Sequence, residues 1–188
     1  MRYKCLHIAI IILCLISTGI LHAEDTEINR RTLAGLQGVY VALEDFQPNV
    51  KQYADSESIN KAQIQKDIEQ QLKVNGIKIL SGSEWLKTPG RPVLYVNINT
   101  HPSETKSLIS KLLSDRREEK ALFAFDIKVE LRQVVYMEAN PNIKTLSDTW
   151  SMNMTGLVNV KNLAPLKTNT LYLVDRFIKA YKSANRGK

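Results

Sequence analysis

The chain has 188 residues, 44% of them hydrophobic and 24% charged, which suits one globular domain and excludes a disordered or collagen-like polymer. Lys and Arg total 26 against 19 Asp and Glu, a formal net charge of +7, and there are two cysteines.

Residues 1–23 open with Arg2 and Lys4, continue through an apolar run from Cys5 to Ile16, and close on Leu21-His22-Ala23. A basic start, a short apolar stretch and a small residue at the cut site predict a secretory signal peptide cleaved after Ala23. Even extended to Leu21 the stretch holds 17 residues and is broken by His7, Ser17, Thr18 and Gly19. A spanning helix needs roughly 20 apolar residues, so no stable transmembrane span is expected after cleavage. Cys14 follows Ile11-Ile12-Leu13, not the small residue that a lipid-attachment site wants. Cleavage would leave a cysteine-free chain of 165 residues and charge +5, with His101 as its one histidine. That inventory suits a bacterial periplasm, or secretion, better than a disulfide-stapled animal domain.

Residues 24–32 are polar and read as a flexible lead to a single domain over 33–184. The alternation of Val39, Val41 and Leu43 with Tyr40, Ala42 and Glu44 predicts a half-buried strand, introduced by Gly35 and Gly38 as a turn or bulge. Asn60 and Gln63 have capping-box spacing, Ile59 and Ile64 stand as a hydrophobic staple, and Ile64, Ile68 and Leu72 line one helical face. Asn75-Gly76 ends that helix, and Ile77–Leu80 predicts a short strand. Turn-rich stretches surround Trp85-Leu86, and Val93–Asn99 reads as a strand stopped by His101-Pro102.

Leu108, Ile109, Leu112 and Leu113 have helical spacing and are followed by Arg116 and Arg117 within a mixed-charge run. They predict an extra amphipathic helix, either packed on the domain or serving as a partner-binding arm. Residues 121–137 read as a long strand with Phe123, Phe125, Ile127, Val129 and Leu131 on one face. Asp126, Lys128, Glu130 and Arg132 occupy the other, read as a solvated surface with cross-strand charge pairing. Asn140-Pro141-Asn142 then turns the chain into a strand over 149–155. A last helix begins near Pro165, carries Leu166, Leu173, Val174, Phe177, Ile178 and Tyr181 inward, and gives way to a frayed tail at 185–188. The order predicts an α+β two-layer sandwich: a mainly antiparallel sheet with two helices on one face.

Chemistry-bearing motifs are sparse. A chain without mature cysteines has no thiol nucleophile and no thiolate zinc site, and one histidine gives no multi-histidine metal cluster. His101 is the weak catalytic candidate, beside Ser103, without a nucleophile elbow. Glu44 and Asp45 are adjacent and point to opposite faces of an extended strand. No glycine-rich phosphate cradle joins a strand to a helix, so no cofactor is expected. The cations are dispersed among acids rather than gathered into a stripe with exposed aromatics, which disfavours nucleic acid as a partner.

The Gly38–Leu43 strand, the helix closing on Asn75-Gly76-Ile77, the Pro92–Val96 strand and Leu173–Ile178 together resemble small exported bacterial proteins with one α+β domain. In outline they are also similar to accessory α/β domains of envelope-assembly proteins. These resemblances rest on core positions and imply no catalytic residue. The expected function is a non-enzymatic envelope binding module, contacting an envelope protein or anionic component through a sheet edge or residues 103–120. The alternative is a hydrolase of an envelope polymer, using His101 or a sheet carboxylate.

Overall fold

The computed structural model describes residues 25–48, 50, 59–102 and 122–186. Among these, α1 is Glu27–Arg31, β1 Tyr40–Leu43, α2 Lys61–Val74 and α3 Gly82–Lys87, followed by β2 Val93–Pro102, β3 Leu122–Met137, β4 Asn140–Asn159 and α4 Ala164–Ala184. The strands form one sheet in the order β1-β2-β3-β4. β1 runs parallel to β2, whereas β2–β3 and β3–β4 are antiparallel. This is the α+β architecture that the order of elements predicts.

Period-two alternation sets the register. Leu94, Val96 and Ile98 of β2 lie opposite Leu131, Val129 and Ile127 of β3. Those residues in turn face Trp150, Met152 and Met154 of β4. Ile64, Ile68 and Leu72 of α2, with Leu166, Leu173, Val174, Phe177 and Ile178 of α4, complete one buried cluster on this inner face. Trp150 meets Phe177 edge-on, with ring centroids 5.3 Å apart. A Lys167–Asp67 ion pair of 2.5 Å joins the two helices.

Two glycines answer to close approaches. A Cβ at Gly38 would meet the Lys78 carbonyl oxygen at 2.6 Å, where Val39 and Ile79 form a single parallel bridge in place of the predicted strand over 77–80. On β4, Gly156 lies opposite Phe125, whose ring would come within 2.7 Å of an added Cβ.

Several expectations are corrected. The polar stretch read as a loose lead is fastened: α1 occupies Glu27–Arg31, capped by Thr26. Asp25, its side chain only 8% exposed, accepts two 2.7 Å hydrogen bonds from Arg30, one of 3.0 Å from Trp150 Nε1 and one of 3.4 Å from Arg176. Asn185, expected to fray, accepts from the Gly35 N–H and donates to the Leu33 carbonyl. The stretch around Trp85 is a short helix because Ser81 and Glu84 close a reciprocal capping box, in which Lys78 and Ser81 pull the Glu84 carboxyl down to about 2. β2 continues through His101 and Pro102, since pairing with β3 extends to Phe123. β4 begins at Asn140, with the turn at residues 138–139.

Two measurements test this packing. Gly156→Ala should lower stability by about 1–3 kcal/mol, as overpacking does, seen as a lower urea midpoint at constant slope; adding Phe125→Leu should restore part of it. Burial alone would raise the Asp25 pKa, but the hydrogen bonds of Arg30 and Trp150 and the Arg30 and Arg176 charges outweigh it and hold it below the usual value. Its stabilising contribution is therefore complete above the ordinary aspartate pKa of about 4 and lost as pH falls through the lower folded value. Asp25→Asn should flatten that part of the stability–pH curve; an unchanged curve would refute the clasp.

Candidate functional site

α2 and α4 cover one face of the sheet, so chemistry is to be sought on the other. There the strands place Tyr95, Asn97, Asn99 and His101 of β2 beside Asp126, Lys128, Glu130 and Arg132 of β3, then Asp148, Ser151 and Asn153 of β4. Sequence reasoning takes the β3 row as solvated, but Glu130 is completely buried. One of its oxygens pairs with the Lys128 ammonium and the other accepts from the Arg132 guanidinium at 2.7 Å. Arg132 also bonds Asp148 at 3.0 Å and lies over the Tyr95 ring, 3.7 Å from its centroid. The Tyr95 hydroxyl and the Asn97 amide both donate to Glu44. Donating a hydrogen bond to the Glu130 carboxylate raises the Lys128 pKa above its usual value, helped by the charges of Glu130 and Asp148.

This network crosses β2, β3 and β4 and ties in the end of β1. A buried carboxylate set between two cations holds the strands together. The register explains why the sequence misleads: Glu130 stands between Tyr95 and Ser151, whose side chains shield it, while Lys128 and Arg132 reach back along the strand from either side.

His101 lies exposed at the far end of β2, opposite Ala124 and diagonally from Asp126. Ser103 and the proposed partner-binding residues Leu108, Ile109, Leu112, Leu113, Arg116 and Arg117 fall outside the described residues. Trp150 is buried in the core, and Trp85 packs on Tyr40 with centroids 5.7 Å apart. Among the described residues no cluster of His, Cys, Asp and Glu is placed to hold a metal ion, and no helix is long and apolar enough to cross a membrane.

A feature absent from the sequence reading stands at the other end of the sheet. β2 begins opposite Arg132, but β3 and β4 continue together past it, forming a two-stranded arm over 133–147. Tyr136, Met137, Ile143 and Leu146 on this arm are 45–62% exposed. At its base an open cleft of about 430 Å³ is lined by residues 88–91 together with Val134, Tyr136, Lys144, Thr145 and Leu146. β2 separates this cleft from His101 by ten residues, about 30 Å of strand, so the two are not one site. No family model, curated protein or solved structure matches the chain.

The buried network makes an asymmetric prediction. Glu130→Ala leaves two cations facing one another and should cost about 3 kcal/mol of stability. Asp148→Ala, at a solvent-reaching carboxylate, should cost less than about 1 kcal/mol. Equal urea midpoints for the two variants would show that Glu130 is not the anchor.

Proposed function

We propose that this is an exported, non-enzymatic binding module of the bacterial envelope that engages a protein partner through the β3–β4 arm. The observation that carries the reading is the arm itself. Four large apolar side chains stand exposed on one short two-stranded ribbon, where water would otherwise favour their burial. The arm also offers strand edges. An extended segment adds to such an edge by main-chain hydrogen bonding, with side-chain pockets supplying selectivity.

The remaining features agree. Lys128, Glu130, Arg132 and Asp148 on the outer face are paired with one another, whereas the apolar groups of the arm stand exposed. The signal-like residues 1–23 would deliver the domain to the periplasm, where an envelope protein is within reach. The resemblance to small exported α+β proteins points the same way.

A photo-crosslinking residue at Ile143 should capture a discrete envelope protein in cells, whereas one at Val74, also exposed but on α2, should not. Leu146→Glu with Met137→Glu should abolish that product while shifting stability by no more than about 0.5 kcal/mol. Equal labelling from both positions would overturn the reading.

A further inference from the structure

We propose that the cleft at the base of the arm is a subsite for an acidic, extended peptide segment of the partner, laid along β3 in line with β2. This rests on the arm being a protein-binding surface and adds the chemistry of what it takes.

Charge makes the first argument. The fully charged side chains lining the cleft are Arg91 and Lys144; no carboxylate lines it. Neither cation has an ion-pair partner among the described residues, although Lys144 lies 5.1 Å from the centroid of the Tyr136 ring. Their neighbours Lys128 and Arg132 are matched by Glu130 and Asp148. Two cations without an ion-pair partner among the described residues thus share one concavity, beside apolar walls from Val134 and Leu146.

The backbone makes the second. Arg91 has φ +44°, in the left-handed region that a residue with a Cβ rarely adopts, and it precedes a proline. That conformation is held from three sides. The Arg91 N–H donates to the Thr88 carbonyl at 3.0 Å, its carbonyl accepts from Trp85 Nε1 at 2.8 Å, and the Gly90 carbonyl accepts from the Val134 N–H at 2.7 Å. Strain maintained by its surroundings occurs preferentially at ligand clamps.

The third argument is the edge. The Val134 N–H faces the loop, so by two-residue alternation the N–H and C=O of Tyr136 point to the same side, past the end of β2. A segment adding there continues the line of β2, with its side chains alternating towards and away from Arg91 and Lys144. Two cations suit one or two carboxylates on such a strand. A lipid surface is recognised by clusters of 4–8 basic residues, which this cleft does not present.

Fluorescein-labelled nine-residue peptides alternating Asp with Val, Ser with Val, and Lys with Val would be titrated against the exported protein purified from its native envelope. The Asp peptide should bind about tenfold or more tighter than the Ser peptide, with the Lys peptide weakest and the preference shrinking as salt is added. Arg91→Gln with Lys144→Gln should remove the preference, and Arg91→Glu with Lys144→Glu should transfer it to the Lys peptide; both pairs sit on exposed positions, and unchanged melting temperatures confirm the fold. Equal affinities for the three peptides, or a preference surviving the double Gln variant, would overturn the proposal. So would binding of phosphatidylglycerol vesicles, lost in the double Gln variant, with no peptide binding, which would reassign the cations to a lipid surface. Where peptide preference is absent but the Ile143 crosslink persists, the acidic subsite falls and the binding module stands; loss of the crosslink in wild type removes both.

Discussion

The alternation of β3 from Phe123 to Leu131 is the constraint on which the other elements depend. Its inward residues, Phe123 to Leu131, receive β2 and β4 on either side and give α4 a continuous apolar floor. Because side chains repeat every two residues, a slip of one position would turn all five apolar groups to water and bring Asp126, Lys128, Glu130 and Arg132 against the helices. The rest of the sheet inherits this register, and β1 enters only at the edge, parallel to β2 and four residues long.

Glu130 adds a second lock of a different kind. Hydrophobic burial fixes which face points inward, but is indifferent to small shifts along the strand that preserve parity. A buried carboxylate held by Lys128 and Arg132, with Arg132 continuing to Asp148 on β4 and to the Tyr95 ring on β2, is not indifferent. A two-residue slip would separate Arg132 from Asp148 and Tyr95 together. The ion pairs therefore contribute specificity of pairing more than net stability, as the desolvation cost of buried charges leads one to expect. Of the acids on this face, Glu130 and Asp148 are engaged with Lys128 and Arg132 in holding the strands together.

How much of this was legible in the residues depends on whether the signal was local. The helix over 61–74 was, because Asn60 caps the Gln63 N–H at 3.0 Å and Ile64, Ile68 and Leu72 repeat at helical spacing. The Gln63 side chain, by contrast, turns to Asp67 instead of closing the box. The equivalent signal at Ser81 and Glu84 was equally local, yet the glycines and prolines around it suggested turns. The clasp of Asp25 was not legible, since its partners Trp150 and Arg176 lie more than a hundred residues away. Burial of Glu130 was hidden for the same reason: it comes from strands on both sides. His101 was expected to stop β2, which instead continues through it to Pro102, and nothing in a single sequence tells which end of the sheet will carry a cleft.

The arm follows from unequal lengths. β3 has sixteen residues and β4 twenty, whereas β2 has ten, so the longer pair must overhang once register is set at Arg132 and Val93. Pro89 and Pro92 flank the loop that leaves the sheet there, and a proline cannot donate the ladder hydrogen bond needed to carry β2 further. Gly90 and Arg91 take left-handed conformations to make the exit, which brings the Gly90 carbonyl back to Val134 as the last bond on that side. A two-stranded ribbon alone is only marginally stable in water, and this one carries exposed Tyr136, Met137, Ile143 and Leu146. Its stability is therefore borrowed from the sheet behind it. A partner strand that buried those side chains would supply the third strand that the arm lacks. The overhang thus leans on the sheet behind it, and it carries apolar groups that an added strand would bury.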